Sequence, residues 1–385
     1  IHPHALVAAI DGPAESAAAR VREAMHAHGF APASLAVLIA SVERIGETAL
    51  EQAALALDVP LRFVDAPLDH AGTAQHHGEN DDTPIRDEAP SMQRALQLLH
   101  AALRIPHERA PHANGVALGV GAQPIDALTV GQARGRLDVV GLGPGCAELM
   151  APAARAALTQ ATDILGYETY LRMAGPFGAH QRVHGSDNRE ELQRARHAFE
   201  LASAGRHVAL VSSGDPGVFA MAAAVMEALD GAGDPRWRTV EIRIVPGISA
   251  AMASAAQAGA PLGHDFCVLS LSDNLKPWHV IEKRLRHAAE ADLVIALYNP
   301  ISRARPWQLD KALEIVRGCR RDETRVVLGR DVGRPGAALV TTTLGELRSD
   351  EVDMRTTVII GSTMTRAVPR GDGGEWIYTP RWYED

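Results

Sequence analysis

The 385-residue chain has few cysteines, few aromatic side chains and no excess of positive charge. Its three cysteines, Cys146, Cys267 and Cys319, are widely separated, so they offer neither a disulfide framework nor the ligand spacing of a zinc site. Aromatic residues make up 4 % of the chain and the net charge is −9, which argues against a surface that stacks bases or binds phosphates. We therefore expect no bound metal and no nucleic-acid partner.

The sequence also lacks long apolar runs. No stretch of eighteen apolar residues occurs, and the first residues do not combine a basic segment with an apolar one as a secretory leader does. Sparse, unpaired cysteine is typical of proteins from a reducing compartment. We therefore expect a cytoplasmic protein without a membrane partner.

Glycine and proline are abundant, with 34 and 23 residues, and they separate short apolar runs from alanine-rich segments. Residues 5–65 predict the order strand, helix, strand, helix, strand, which favours a small, mostly parallel sheet with helices on its faces. The polar segment 69–91 predicts a loop. The fold class is therefore α/β, with a small α/β domain at 1–125 followed by a linker at 126–136.

From Leu137 the alternation of strands and helices resumes and continues to about residue 365. This length is large for one sheet, and the Pro-Gly turn in "IVPGISAAMASAA" at 244–256 is a plausible seam. We therefore predict two sub-domains, 137–245 and 246–385. The predicted strands are 137–142, 181–184, 207–212, 241–245, 266–271, 293–297, 324–328, 338–343 and 356–360.

The turn "GLGPG" at 141–145 raises the question of which ligand it binds. A dinucleotide site requires G-x-G-x-x-G, a helix that starts inside the motif and an acidic residue at the end of the next strand. Here Pro144 and Cys146 occupy the fourth and sixth positions, the helix starts only at Pro152, and Asp163 precedes its strand. No Gly-Lys-Ser/Thr follows, which excludes a phosphate-binding loop. A tight turn without a ligand remains an alternative.

Three further strands end in turns of small residues. They are "SSGDPGVF" at 212–219, "VPGIS" at 245–249 and "ALYNP" at 296–300. Ligands of open α/β folds bind at the carboxyl ends of the strands, so we expect the four turns to meet at the carboxyl edge of a sheet.

Together these turns resemble a known family. Their order and spacing are similar to those of the tetrapyrrole methyltransferases of corrin and sirohaem synthesis, the class III S-adenosylmethionine-dependent methyltransferases. "GYETYL" at 166–171, "LSLSDNLKPW" at 269–278 and "WIYTPRWYE" at 376–384 resemble the branch that methylates C-17 of precorrin-3B. The resemblance covers residues 136–384.

The first 125 residues resemble a different protein. "LIASVERIGETALEQAALALDVPLRFVD" at 38–65 is similar to the carboxyl-terminal, CobE-like domain of the cobalamin-synthesis protein CbiG. The family usually has a lysine where this chain has Glu43 and Arg44. The resemblance does not imply a definite role for this domain.

The methyltransferase resemblance implies a tetrapyrrole methylase fold of two sub-domains with S-adenosyl-L-methionine in the cleft between them. It further implies S-adenosyl-L-homocysteine as product, a homodimer, and methylation of precorrin-3B with ring contraction to precorrin-4 in cobalamin biosynthesis. Alternatives are a cobalt-containing substrate, another ring carbon, or a non-catalytic tetrapyrrole carrier. The residues that the resemblance assigns to the cofactor are Pro144, Ser213, Gly214, Asp215, Val218, Ser249, Ala250, Tyr298, Asn299 and Thr342.

These residue types suit the cofactor. Gly214 lets the backbone approach it, and amides at the start of a helix predicted at 217–229 could bind its carboxylate. Asp215 would accept from its ammonium group or ribose, although a plain turn aspartate is the alternative. Ser249 would cap the next helix with or without contacting the cofactor.

Methyl transfer from a sulfonium needs no protein nucleophile, but the ring contraction would benefit from a general acid or base. We assign this role to Asp273 and Tyr298, with Ser272 and His264 as further candidates. A helix N-cap is the alternative for Asp273. The cations that could bind substrate carboxylates are Arg303, Arg305, Arg330 and Arg334, and a solvated basic loop explains them equally well.

Overall fold

The computed structural model describes residues 4–66, 90–103, 107–112, 114–187, 190–302 and 305–382. Its described residues form two compact units, one from Ile1–Leu137, His197–Val208 and Ala232–Ile242, the other from Asp138–Arg196, Ala209–Gly231 and Arg243–Asp385. The domain boundaries at 125, 137 and 245 stay predictions. Almost all of the loop predicted at 69–91 lies outside the described residues.

The first part of the chain has the predicted βαβαβ order. Its sheet has the strand order β3-β2-β1-β5-β4, in which β1, β2 and β3 are parallel and β5 is antiparallel to both neighbours. The elements are β1 (Leu6–Ile10), α1 (Ala17–Ala27), β2 (Leu35–Ser41), α2 (Thr48–Leu57), β3 (Leu61–Val64), α3 (Pro90–Ala102), β4 (His107–His112) and β5 (Val116–Gly121).

Helices cover both faces of this sheet. Leu38 packs with α1 and α2 on one face, whereas Val37 and Ile39 pack with α3 on the other. All seven residues of β2 are buried because a parallel strand between two helical layers has no solvated face. The apolar run 35–40 of β2 is therefore a property of its interior position between β3 and β1.

The segment predicted as a linker is hydrogen-bonded to the edge strand β3. Phe63 and Gln132 exchange two backbone hydrogen bonds of 2.7 and 2.8 Å. Arg62 adds bonds from its guanidinium to the carbonyl oxygens of Val130 and Gly131, at 2.8 and 2.9 Å. The segment therefore continues the ordered structure of β3.

A second sheet has the order β10-β6-β9-β7-β8. Hydrogen bonds from Arg136 N to Arg206 O and from Leu142 N to Ser212 O, at 3.0 and 2.9 Å, run in the same sense and make β6 and β9 parallel. The elements are β6 (Arg136–Gly141), α4 (Pro152–Gln160), β7 (Asp163–Tyr167), α5 (Glu168–Ala174), β8 (Arg182–Ser186), α6 (Glu191–Ser203), β9 (His207–Ser212), α7 (Met221–Asp230) and β10 (Glu241–Val245). Strand β7 begins at Asp163, which pairs with Arg182, so the expectation that Asp163 precedes its strand was wrong.

A third sheet has the order β12-β13-β16-β14-β15, and β11, β18 and β17 form a small fourth one. Only β12 and β13 run parallel among the pairs of the third sheet; β16 is antiparallel to β13 and β14, and β15 to β14. The elements are α8 (Ala250–Ala258), β11 (Gly259–Ala260), β12 (Phe266–Ser270), α9 (Trp278–Glu290), β13 (Val294–Tyr298), α10 (Gln308–Arg317), β14 (Arg325–Arg330), β15 (Ala338–Thr343), β16 (Thr356–Ile360), β17 (Arg366–Pro369) and β18 (Glu375–Tyr378).

This topology confirms the α/β class and corrects one expectation. The turns after β6, β9 and β10 follow three adjacent strands of the second sheet, but "ALYNP" follows β13 in the third. The four turns therefore do not share one sheet edge. Within the described ranges, no helix is both long enough and apolar enough to cross a membrane.

Candidate functional site

The three turns after β6, β9 and β10 touch through their backbones. Gly143 and Gly214 exchange two hydrogen bonds of 3.1 and 2.7 Å, and both have positive φ, +73° and +68°. A Cβ at Gly141 would lie 2.6 Å from the carbonyl oxygen of Gly214, and one at Gly247 would lie 2.2 Å from the same atom. Glycine is therefore required at 141 and 247 by close approach and at 143 and 214 by conformation.

Asp215 ties the second turn to the third. Its Oδ1 accepts from the amide of Gly217 at 2.8 Å, and its Oδ2 accepts from the amide of Gly247 at 3.1 Å. Sequence reasoning assigned this carboxylate to the cofactor and did not anticipate that both oxygens hold backbone amides. Direct contact with a ligand stays a prediction, while support of the turns is observed.

The helix predicted at 217–229 starts later, so this expectation was wrong at its amino end. Helix α7 begins at Met221, whose amide donates to Ser212 Oγ at 3.4 Å, and the Ala222 amide donates to Pro216 O at 2.9 Å. The chain turns before the helix, with Phe219 at φ +52° and the Val218 amide bonded to the carbonyl of Asp215. The first helical amides are thus already used inside the protein.

Ser249 lies at the N-cap of α8, as predicted, but makes no capping hydrogen bond with its side chain. The hydroxyl of Tyr298 accepts instead from the Ala251 amide at 2.8 Å. The Tyr298 ring also lies 5.6 Å from the ring of Phe219, centroid to centroid. Tyr298, at the end of β13, therefore joins the start of α8 to the turn after β9.

The remaining predicted cofactor residues differ in their surroundings. Asn299 has φ +51° and donates from Nδ2 to Ser270 Oγ at 2.9 Å, which holds the ends of β12 and β13 together. Thr342 lies within β15, and its hydroxyl is 3.4 Å from Glu346 Oε2. Among the side-chain hydrogen bonds of the described residues, none joins Thr342 to the three glycine turns.

Asp273 belongs to an ion pair. Its Oδ1 accepts from Arg305 Nη1 and, at 3.1 Å, from Nε2 of Gln308, a residue that is only 1 % exposed. The alternative of a helix N-cap is wrong, because α9 begins at Trp278 with Pro277 as its cap. The carboxylate instead connects the segment after β12 to the start of α10.

The arginines proposed for substrate carboxylates have internal partners where the structure describes them. Arg305 pairs with Asp273, and Arg330 pairs with Asp331 and Asp353. Arg334 donates to Pro144 O at 3.0 Å and to Ser213 Oγ at 2.7 Å. Arg303 lies outside the described residues.

Two features near the first turn were missed from the sequence. Burial raises the pKa of the Tyr170 hydroxyl, an effect that the nearby charge of Arg334 partly offsets.

A cavity of about 440 Å³ lies between the first turn, α4 and residues 173–181, with Arg155 and Gln181 among its polar lining. Only Leu142 and Gly145 connect it to the glycine turns, so the predicted cofactor residues do not line it.

In the part of the chain that the structure describes, no group of three or more His, Cys, Asp or Glu side chains could hold a metal ion. The polar groups near the three turns include peptide groups, hydroxyls, the carboxylate of Asp215 and the guanidinium of Arg334. Such a site can bind a small polar ligand through backbone contacts.

Comparison with known proteins identifies the family. Residues 136–348 match the family model described as Tetrapyrrole (Corrin/Porphyrin) Methylases. A precorrin-3B C(17)-methyltransferase from Sinorhizobium sp. is 53 % identical over 249 residues, which are 65 % of this chain and 97 % of that protein. A probable cobalt-factor III C(17)-methyltransferase from Salmonella typhimurium is 40 % identical over 247 residues, 64 % of this chain and 99 % of that protein.

A solved structure agrees with these relatives. The crystal structure of the methyltransferase CobJ superposes with a TM-score of 0.60 at 49 % identity, and the match covers 64 % of this chain and all of CobJ. The family model covers more than half of the chain, from the strand before the GLGPG turn onward. This chain therefore belongs to the tetrapyrrole (corrin/porphyrin) methylases.

Proposed function

We propose that this chain transfers a methyl group from S-adenosyl-L-methionine to C-17 of precorrin-3B, with contraction of the ring to precorrin-4 in cobalamin biosynthesis. The observation that carries the proposal is the 53 % identity to a precorrin-3B C(17)-methyltransferase over 97 % of that protein's length. The packing of the three glycine turns supports a ligand site in the same region.

The residues of the three turns fit the cofactor. Glycines at 141 and 247 let the backbones of the turns approach so closely that a Cβ at either position would clash. S-adenosyl-L-methionine, when bound, supplies a methyl group on a positively charged sulfur. The Ser249 hydroxyl, which makes no capping bond in α8, is proposed to donate to the carboxylate of the cofactor. The other proposed contacts are Pro144, Ser213, Gly214, Asp215, Val218, Ala250, Tyr298, Asn299 and Thr342.

Asp273 is proposed to accept and return the proton that ring contraction requires. Asp273→Asn is expected to lower turnover by about 100-fold, because general acid–base catalysis contributes factors of this size. Affinity for S-adenosylhomocysteine, measured by calorimetry, should change less than about twofold, since Asp273 has no contact with the glycine turns in the described structure.

Asp310→Asn is the matched control, because Asp310 is exposed in the first turn of α10, the helix that Asp273 contacts. A lowered thermal midpoint with nearly normal turnover in Asp273→Asn would show that the ion pair with Arg305 has only a structural role.

The oligomeric state and the cellular location are also part of the proposal. We infer a cytoplasmic homodimer that binds neither nucleic acid nor membranes, on the basis of the family resemblance and the net charge of −9. The first 125 residues are proposed to form a CbiG-like domain. A carrier role for that domain would leave the methyltransferase activity with residues 136–384.

Labelling tests the proposed function directly. The full chain is incubated with precorrin-3B and methyl-¹³C S-adenosylmethionine, and the label is located by NMR; cobalt-factor III is offered in parallel. We expect one label at C-17 of a ring-contracted product from precorrin-3B. Binding of S-adenosylhomocysteine without transfer to either substrate would favour the carrier, and transfer to the cobalt compound alone would favour that substrate.

A further inference from the structure

Arg334 contacts two of the three glycine turns at once. Its Nε donates to the carbonyl oxygen of Pro144 at 3.0 Å, and its Nη2 donates to Ser213 Oγ at 2.7 Å. Pro144 lies in the turn after β6 and Ser213 in the turn after β9, whereas Arg334 follows β14 in the third sheet. One guanidinium thus connects three segments that are far apart in sequence.

The turn that carries Arg334 is itself held in place. Asp331 is 4 % exposed and accepts from Arg355 Nε at 2.8 Å, while its backbone amide donates to Arg355 O at 3.1 Å. The Arg334 amide in turn donates to Asp331 O at 2.8 Å. The guanidinium therefore projects from an ordered base, which lowers the entropy lost when its two bonds form.

Glycines leave room for the arginine stem. A Cβ at Gly145 would lie 2.4 Å from Cγ of Arg334, and a Cβ at Gly333 would lie 2.8 Å from Cγ of Pro144. Both glycines also have positive φ, +142° and +79°. The backbones on either side of Arg334 are thus as close as the packing allows, and the stem fills the space between them.

We propose that Arg334 is a positioning residue, which fixes Pro144 and Ser213 in the arrangement that binds S-adenosyl-L-methionine, and that it does not bind substrate carboxylates. This inference rests on the proposed function, because it takes those two turns as the cofactor site. A guanidinium can reach both acceptors because its N–H groups diverge in one plane. A lysine ammonium at the same position is a single point charge and matches this pair poorly.

Calorimetry with S-adenosylhomocysteine on the full chain tests the assignment. Arg334→Met is expected to weaken binding about 10-fold to 100-fold, the range for losing charge-assisted hydrogen bonds. The affinity of Arg334→Lys for S-adenosylhomocysteine should lie between those of Arg334→Met and the wild type. In a Ser213→Ala background Arg334→Met should weaken binding by a smaller factor, because one of its two acceptors is already gone. Arg321→Met, at an exposed arginine before β14, should match the wild type.

The Michaelis constants separate the competing roles. We expect KM for S-adenosylmethionine to rise in Arg334→Met while KM for the tetrapyrrole stays within about twofold. Unchanged S-adenosylhomocysteine affinity with a raised tetrapyrrole KM would overturn the inference and leave the proposed function intact. Equal effects of Arg334→Met with and without Ser213 would also overturn it. A wild-type chain that does not bind S-adenosylhomocysteine would overturn the proposed function and this inference together.

Discussion

Replacing Gly247 with alanine is expected to lower methyl transfer by about 1000-fold, equivalent to about 4 kcal/mol of transition-state stabilisation. The new Cβ would lie 2.2 Å from Gly214 O and 2.9 Å from the carbonyl group of Gly141, and both are backbone atoms in turns fixed by hydrogen bonds. The turn after β10 would have to move away from the other two. Single-turnover transfer of a labelled methyl group would measure the loss.

Gly231→Ala is the matched control for this substitution. Gly231 ends α7, and a Cβ there would lie 3.5 Å from Glu227 O, an ordinary contact distance. We expect that variant to keep wild-type transfer, with a far-ultraviolet circular dichroism spectrum identical in both variants. Transfer by Gly247→Ala within tenfold of the wild type would mean that the three turns are not packed against one another in the active enzyme.

The sensitivity to one methyl group follows from how the site is built. The contacts among the three turns are made by peptide groups, as in the Gly143–Gly214 pair, and by glycines at van der Waals distance. Asp215, within the second turn, and Arg334, from the segment after β14, hold peptide groups of these turns in place. Backbone geometry, rather than a reactive side chain, is therefore what the sequence must preserve, which suits methyl transfer without a protein nucleophile.

Local patterns in the sequence were sufficient to predict most strands and the glycine turns. Strand β9 was predicted with its observed bounds, because an apolar run between turn residues is a local feature. Gly205, which follows α6 with φ +83°, is likewise a local feature, because glycine readily adopts the left-handed conformation that commonly ends a helix. The family resemblance then assigned residues of these turns to one cofactor site. Each of these features is determined by a short stretch of consecutive residues.

Long-range contacts could not be predicted in the same way. Nothing near Arg334 in the sequence indicates that it bonds Pro144, and nothing near Tyr298 indicates that it satisfies an amide of α8. The amino end of α7 was misplaced because Pro216 and Gly217 favour a turn as well as a helix start, and here Phe219 at φ +52° interrupts the helix before Met221. Whether such residues form a turn or start a helix depends on their contacts with neighbouring strands.

Asp215→Ala is expected to weaken binding of S-adenosylhomocysteine by at least about 100-fold while the protein stays folded, because it removes the acceptor of the Gly217 amide within the second turn and the acceptor of the Gly247 amide in the third. Asp215→Asn is the sharper variant. Its amide oxygen can still accept from Gly217, but its NH₂ group would face the Gly247 amide, donor against donor. We therefore expect the asparagine variant to lose nearly as much affinity as the alanine variant.

Asp234→Ala provides the control for both substitutions. Asp234 also accepts from the backbone amide two residues later, Arg236 N at 2.9 Å, but it does so in a turn remote in sequence from the glycine turns. Asp234→Ala should leave the affinity for S-adenosylhomocysteine, measured by calorimetry, within about twofold of the wild type. If Asp215→Asn kept full affinity, the bond to Gly247 would be dispensable, and the carboxylate would act through the bond to Gly217 alone.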